Sequence, residues 1–489
     1  MISQFIFFLV VAAGIGYFSF QISRISKNIK LGRPLDRSDR PLERLQKMAL
    51  VAFGQKKMFK RVIPAVLHGI LYVSFLVINI EVLEIIVDGL FAQHRILGQY
   101  TDPLYSVLMY VNEFLGALVI VASIILLIRR NVIKVKRFSG IEMTESKGLI
   151  QMKNYSHIDA NLILVTEIVL MTSLFIFNVA DITLHSMGAG MLSEGGTGTI
   201  SDLPGVYPIS HPLADMRLLG SDLHTLHLLE RIGWWGHIVG ILLFLNYLPI
   251  SKHFHVIMAF PNVYFSRLDD QGKLTSSKHI QEEVKAAFDF NYTPPEDPNA
   301  PNRFGAKDVT DLTWKSLMDS YTCTECGRCT SVCPANITGK KLSPRKVVMD
   351  VRDRLEEIQK FKLVPDENGL MVAGNGVEGS EEAAGHTLLG DHYISIEELR
   401  ACTTCNACVE ACPVNINQVD IIVELRRHLI MEDSDMPEEW AAMTTNIENN
   451  GAPWAFPAAD RFNWANDIEV EVAITEEVET AEGEVEVQS

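Results

Sequence analysis

Cys323-Thr-Glu-Cys326-Gly-Arg-Cys329-Thr-Ser-Val-Cys333-Pro334 and Cys402-Thr-Thr-Cys405-Asn-Ala-Cys408-Val-Glu-Ala-Cys412-Pro413 together hold all eight cysteines of this 489-residue chain. Both runs repeat the spacing C-x2-C-x2-C-x3-C-P, by which thiolates hold [4Fe-4S] clusters. Three thiolates two residues apart can wrap one face of an iron–sulfur cube, with backbone N–H groups turned toward the sulfurs. The fourth cysteine, held away by its proline, serves the other cluster in two-cluster arrangements. The expected sets are therefore Cys323, Cys326, Cys329 and Cys412 for one cluster, and Cys402, Cys405, Cys408 and Cys333 for the second. Structural zinc is the alternative, but zinc sites rarely show three evenly spaced cysteines plus a Cys-Pro, twice over.

Working outward from the runs, the flanks read as helices. Residues 311–321 form a short amphipathic stretch that feeds the first run, 346–358 follow it, and 419–430 follow the second. The runs begin 79 residues apart, too far for a compact ferredoxin built from a tight repeat. An all-α domain over 311–432 is expected, with the clusters held between helices. Within it, 366–391 is rich in Gly, Glu and Asn and reads as a surface insertion. The wording around the runs (TWKSLMDSYTCTECGRCTSVCPANITGKKLSPRKVVMDVRDRL and LRACTTCNACVEACPVNINQVDIIVELRRHLI) resembles a family of membrane-linked electron-transfer proteins. That family includes heterodisulfide-reductase-like and glycolate- or lactate-oxidase iron–sulfur subunits, and electron-transfer-flavoprotein:menaquinone oxidoreductases. The resemblance implies an α-helical ferredoxin domain.

Residues 1–260 have the opposite character. Apolar windows at 2–22, 62–87, 104–128, 159–180 and 232–250 are each long enough to cross ~30 Å of hydrocarbon. Five in succession exclude a set of ordinary buried core helices. Residues 24–61 carry 12 Lys and Arg and 129–157 carry 7, whereas 91–103 carry Arg95 alone and 188–231 carry Arg217 and Arg231. The positive-inside rule puts the basic loops in the cytoplasm. A bacterial-type inner membrane protein is expected, with its N-terminus outside and the cluster domain cytoplasmic, where disulfides are not expected. Positive charge follows the first apolar run rather than preceding it, so Met1–Phe20 does not read as a cleavable signal.

The membrane half carries a second resemblance. Its layout, and the stretch from His237 through Pro249-Ile-Ser-Lys252 to His255, resemble the cytochrome b subunit of respiratory nitrate reductase. There two haem-ligating histidines stand 18 residues apart, with Pro-x-Ser-basic before the second. Eighteen residues are five helical turns, so both rings would project from one face about 27 Å apart. The resemblance implies partners on the second helix. His68 fits the inner one, but the outer position is Ile78. His68 and His255 are thus the expected axial ligands of one haem b. A second haem would rest on His237, with His185 or, less well placed, His94 as its partner. The alternatives are interfacial placement of His68, a juxtamembrane basic cluster for His255 and a satisfied polar contact for His237. Glu81, Glu84 and Glu113 fall in the outer half, as interhelical packing or as lining of a proton or quinone pocket.

With 48% hydrophobic and 21% charged residues, the chain is neither an ordinary soluble protein nor a pure channel. The net charge of −17 is concentrated in an acidic tail, 433–489. Residues 261–310 contain a Pro- and Asn-rich stretch and read as a linker. The Gly-rich 188–198 has no preceding strand and is not a dinucleotide fingerprint. The expected function is a membrane electron-transfer subunit linking a cytoplasmic redox partner to quinone, which the resemblance implies is menaquinone. No flavin or nicotinamide fingerprint is present, so the substrate site is expected on another subunit with a Cys-Cys-Gly or flavin domain. A nucleic-acid partner is not expected. The alternatives are a heterodisulfide-reductase-like arm acting on a thiol carrier, and a redox sensor or structural anchor.

Overall fold

In the computed structural model the described residues are 2–188, 203–295 and 303–468, apart from 102, 139, 144–146, 148–149, 368 and 375. Five helices are long and apolar enough to span a membrane: α1 (Ile2–Ile29), α2 (Val62–Phe91), α3 (Leu104–Asn131), α4 (Tyr155–Ser186) and α5, whose span Leu223–Ile250 ends in a 3-10 turn. Short connections favour antiparallel neighbours. Each helix packs on the next, and α5 returns to α1, closing the set into a ring. The tightest seam is α4 against α5. A Cβ at Gly233 would stand 2.6 Å from the Phe177 backbone nitrogen, so this small residue lets the two backbones approach. The fifth helix begins nine residues before its apolar window, with His224 and His227 in its first turns.

The expected unbroken helix from His237 to His255 is not formed. Ser251 is extended, and α6 (His255–Tyr264) starts after a second 3-10 turn. Pro249 opens the first of these turns. The Ser251 hydroxyl donates to Asp159 at 2.6 Å and accepts from the His253 amide at 3.1 Å, which holds the break in place.

The cluster domain is helical, with short N-capped helices around each cysteine run. Thr313 caps α7 (Trp314–Thr322), which leads into the first run. Ser343, with Pro344 at the first position, caps α8 (Pro344–Lys360), which follows it. A Ser395/Glu398 capping box opens the turn before the second run, and Asn417 caps α9 (Gln418–Met431) after it. Val347, Val348, Val351 and Leu355 of α8 face Ile421, Ile422 and Leu425 of α9 in one core.

That core does not stop at the domain edge: it includes Ile25 of α1, Leu248, and Phe254 and Met258 beside α6. Asn28 donates to the Tyr321 hydroxyl at 2.7 Å, and Arg33 forms a parallel bridge with Thr313. The cluster domain is therefore seated on the bundle rather than hung from it. Residues 261–310, read as a linker, contain a helix at Lys278–Phe288. The 366–391 reading is also corrected. β1 (Val364–Pro365) pairs with β2 (Met371–Val372), and Ala383, Leu388 and Leu389 are buried in the core. The fully buried Arg354 pulls the segment in, donating to Asp308 and, at 2.8 Å, to the Ala383 carbonyl.

Residues 433–489 form a separate unit. Its described part contains the helix Glu438–Asn450 and a 3-10 stretch at Ala458–Asp467. The remainder of the acidic tail, and most of the Gly-rich 188–198, lie outside the described residues.

Candidate metal centre where the cluster domain meets the bundle

Each cysteine run folds as the same loop. The residues on both sides of the middle cysteine have positive φ: Glu325 (52°) and Gly327 (68°) around Cys326, Thr404 (54°) and Asn406 (59°) around Cys405. Such reversals turn successive amides inward and make a concavity that favours anionic sulfur. The Thr404 amide donates to the Cys402 sulfur at 3.3 Å, and the Ile416 amide to Cys412 at 3.4 Å. All eight cysteines are free thiols.

Burial, and behind it the nearby Cys326 thiol, push Cys412 up to about 11. Burial pushes Cys408 up to about 12, with Cys402 and Cys333 as its charged neighbours. Such thiols resist ionisation alone, and a bound metal supplies the positive charge that deprotonates them. The donor set and its inward amides fit two cubane clusters.

The two sites differ in surroundings. Cys405 is exposed, whereas Cys323, Cys329 and Cys412 are buried. The first loop is braced by the membrane half. Arg328 donates to the carbonyls of Lys57 at 2.9 Å and Met58 at 3.3 Å, and Arg61 donates to Ser331 at 2.9 Å. A Cβ at Gly327 would stand 2.7 Å from the Arg137 carbonyl, so only glycine admits that loop. Glu325, between Cys323 and Cys326, is 5% exposed. Its carboxylate pairs with Lys252 at 2.6 Å and with Arg352 at 2.7 Å, and it contacts Ser156. Burial alone would raise this carboxyl, but Lys252 and Arg352 hold it well below the usual carboxylate range. The Ser-basic part of the sequence before His255 therefore grips both α4, through Asp159, and the first cysteine loop. Asp159 and Glu325 were not foreseen. A lone acid between two ligand cysteines gives no sequence signal for a distant cation.

Beside this brace, the rings of His68 and His255 face each other with centroids 6.2 Å apart. Two imidazoles sharing one metal at ~2 Å per nitrogen would place their centroids about 6 Å apart. His255 donates from Nδ1 to the Lys252 carbonyl at 3.0 Å, leaving Nε2 with its lone pair. The Nδ1 of His68 is buried without a partner. Burial lowers His255 and brings the neighbouring His253 down to about 3, which favours the neutral ring that a metal ligand presents. The pair fits an iron with two axial imidazoles.

The outer pair is not brought together. His237 donates from Nδ1 to the Leu170 carbonyl at 2.9 Å, and its Nε2 is buried without a partner. Leu170 and His185 lie 15 residues apart on α4, about 22 Å along its axis. His185 instead stacks on His94 at 5.8 Å, with Asp181 against both rings and Arg95 on Asp181 at 3.0 Å. Ile78 packs with Val119, Leu170 and Met171, filling the place of the expected outer ligand with hydrocarbon. Glu84 and Glu113 cap loop amides: Glu84 accepts from Leu97 at 2.9 Å and Glu113 from Ile209 at 2.8 Å. Glu81 accepts from Asn112 at 3.0 Å, and its second oxygen is buried without a partner.

Residues 322–416 match the family model described as a 4Fe-4S dicluster domain. The chain is 30% identical over 484 residues to the probable iron-sulfur-binding oxidoreductase FadF of Bacillus subtilis, covering 96% of this chain and 61% of that protein. It is 25% identical over 447 residues to EtfAB:quinone oxidoreductase of Syntrophomonas wolfei, covering 88% of this chain and 55% of that protein. A probable membrane-anchored ferredoxin of Chromohalobacter salexigens is 34% identical over 190 residues, covering 38% of this chain and 27% of that protein. The chain thus spans less than two thirds of the length of these relatives. No solved structure matches. The homologues of this chain are iron–sulfur oxidoreductases with a 4Fe-4S domain, and this chain is a membrane-type relative of them.

Proposed function

We propose that this chain is a membrane subunit passing electrons between a cytoplasmic redox partner and a quinone, by resemblance menaquinone. The observation that carries the reading is the seating of the first cysteine loop directly on the end of the bundle where His68 faces His255. Cys323, Cys326, Cys329 and Cys412 would hold one [4Fe-4S] cluster, and Cys402, Cys405, Cys408 and Cys333 the other. His68 and His255 would hold a haem b. When bound, these groups would supply one-electron carriers. The chain's own residues do the positioning. Glu325, Lys252 and Arg352 lock the first loop to α4 and to the turn before His255. Arg328 and Arg61 hold the loop to the chain entering α2. The exposed Cys405 marks the side open to a soluble partner with a flavin or Cys-Cys-Gly domain, on the cytoplasmic face by the positive-inside rule.

The test is anaerobic reduction of the purified protein in vesicles by menaquinol, followed by the cluster and haem spectra. Reduction of both supports the conduit. Clusters that quinol cannot reduce, in a protein that holds them stably, fit a sensor or anchor instead.

A further inference from the structure

Between α1 and α2 the chain forms a helix, Pro41–Met48, continued by a π-helical turn, Ala49–Phe53. One side is docked. Arg44 is fully buried and donates to the carbonyls of Ser266 at 2.8 Å and Tyr264 at 3.2 Å, while Val51 and Ala52 pack on Val263. The opposite side carries Leu42, Leu45, Leu50 and Phe53, which are 67, 49, 56 and 51% exposed. That is a stripe of large apolar side chains with none of the described residues over it.

Its depth can be read from the histidines. His255 faces His68, which lies in the second turn of α2, six residues or ~9 Å beyond its start at Val62. Phe260 is five residues past His255 and so at most ~8 Å further along α6. The Phe53 ring lies tilted against Phe260, centroids 4.6 Å apart. The stripe therefore starts at the level of the first turn of α2, where a span crosses the membrane boundary. It continues into Phe59, Val62 and Ile63, which are exposed at the foot of α2. Both ends of the segment are tied to spans on the same face, and Arg40, Lys47, Lys56, Lys57 and Lys60 surround it.

We infer that residues 41–53 lie in the headgroup region of the bilayer, with Leu42, Leu45, Leu50 and Phe53 against the acyl chains. A soluble partner would have to cover a strip that merges with the lipid-facing foot of α2. The consequence is positional. Just past the segment, Lys57 donates to the Val409 carbonyl at 3.4 Å and Lys60 pairs with Glu410, so the chain leaving it sets the height of the second cysteine loop above the membrane.

The experiment places a benzophenone amino acid at Leu42, Leu45, Leu50 or, as control, the exposed Glu43, in the whole protein with its clusters assembled. The protein is reconstituted in vesicles of phosphatidylethanolamine and phosphatidylglycerol. Irradiation is expected to give lipid adducts at 42, 45 and 50 and none above background at 43. Adducts to a second copy of the chain, or equal lipid adducts at all four positions, overturn the inference. An independent readout guards against a probe that unseats the helix. Leu45→Trp is compared with the parent chain in bilayers of lipids brominated near the carbonyl end of their chains. The added fluorescence is expected to be quenched, and unquenched added fluorescence overturns the inference.

Discussion

At the end of the bundle that seats the cluster domain, His68 and His255 face each other at 6.2 Å, and the nearest carboxylate network, around Glu325 and Asp159, is spent on Lys252, Arg352 and Ser251. At the opposite end, His94 and His185 stand just as close, at 5.8 Å, but Asp181 sits against both and Arg95 is locked onto the same carboxylate. Proximity is the same and chemistry is not. A carboxylate that binds both rings and a guanidinium makes a brace that ties the loop after α2 to α4. A pair of imidazoles of which one is fixed by a backbone carbonyl and the other has an unpartnered Nδ1 keeps lone pairs for a metal. His237 belongs to neither group. Its tautomer is fixed in the manner of His255, yet no second imidazole is brought to it.

The largest effect expected is at the cysteines, where the contrast between ligand and brace is sharpest. Whole protein purified anaerobically should carry about eight cluster iron and eight labile sulfide, since two cubanes hold four of each. Cys326→Ser should lose or convert one cluster, by electron paramagnetic resonance, while the other persists. Stoichiometric zinc without labile sulfide would end the reading. Next comes the haem. His68→Ala and His255→Ala are each expected to abolish a low-spin haem b difference spectrum, and His185→Ala to leave it intact. Loss of haem in His185→Ala would break the comparison outright, and two haems per chain would demand a partner for His237 other than His185. Stability separates the ends further. Asp181→Ala leaves Arg95 buried without its carboxylate and should cost ~3–5 kcal/mol, read as a lower thermal midpoint, without changing the haem spectrum. The smallest effect is at the Glu325 brace. Glu325→Gln keeps the shape and part of the hydrogen bonding, so a loss of ~1–3 kcal/mol is expected, with both clusters retained.

The parts legible in the sequence are those whose signal is local. Five apolar runs of span length read directly as the five helices found, because hydrocarbon thickness sets a length that consecutive residues must meet. The cysteine spacing reads as a 4Fe-4S dicluster domain, since the loop that wraps a cluster is only a few residues long. Less legible were segments whose fold depends on remote partners. Residues 366–391 are rich in Gly, Glu and Asn and resemble a loose insertion, yet Arg354 draws their Ala383 carbonyl into a buried network. The stretch from His237 to His255 has helical periodicity, but the Ser251 hydroxyl finds Asp159 on another helix and the helix breaks there.

By itself, then, the amino-acid order determined the number of spans, the two cysteine loops with their reversed residues, and the capped helices around them, all interactions that close within a few residues. Tertiary structure alone decided which loop sits on the membrane half and which cysteine stays exposed. It also decided that Lys252 reaches Glu325, that His68 meets His255, and that His185 goes to Asp181 instead of His237. Those choices depend on how the ring of helices closes. A pairing between residues scores or more positions apart is selected by packing and by the cost of leaving a buried charge unpaired, and neither leaves a periodic mark in the chain.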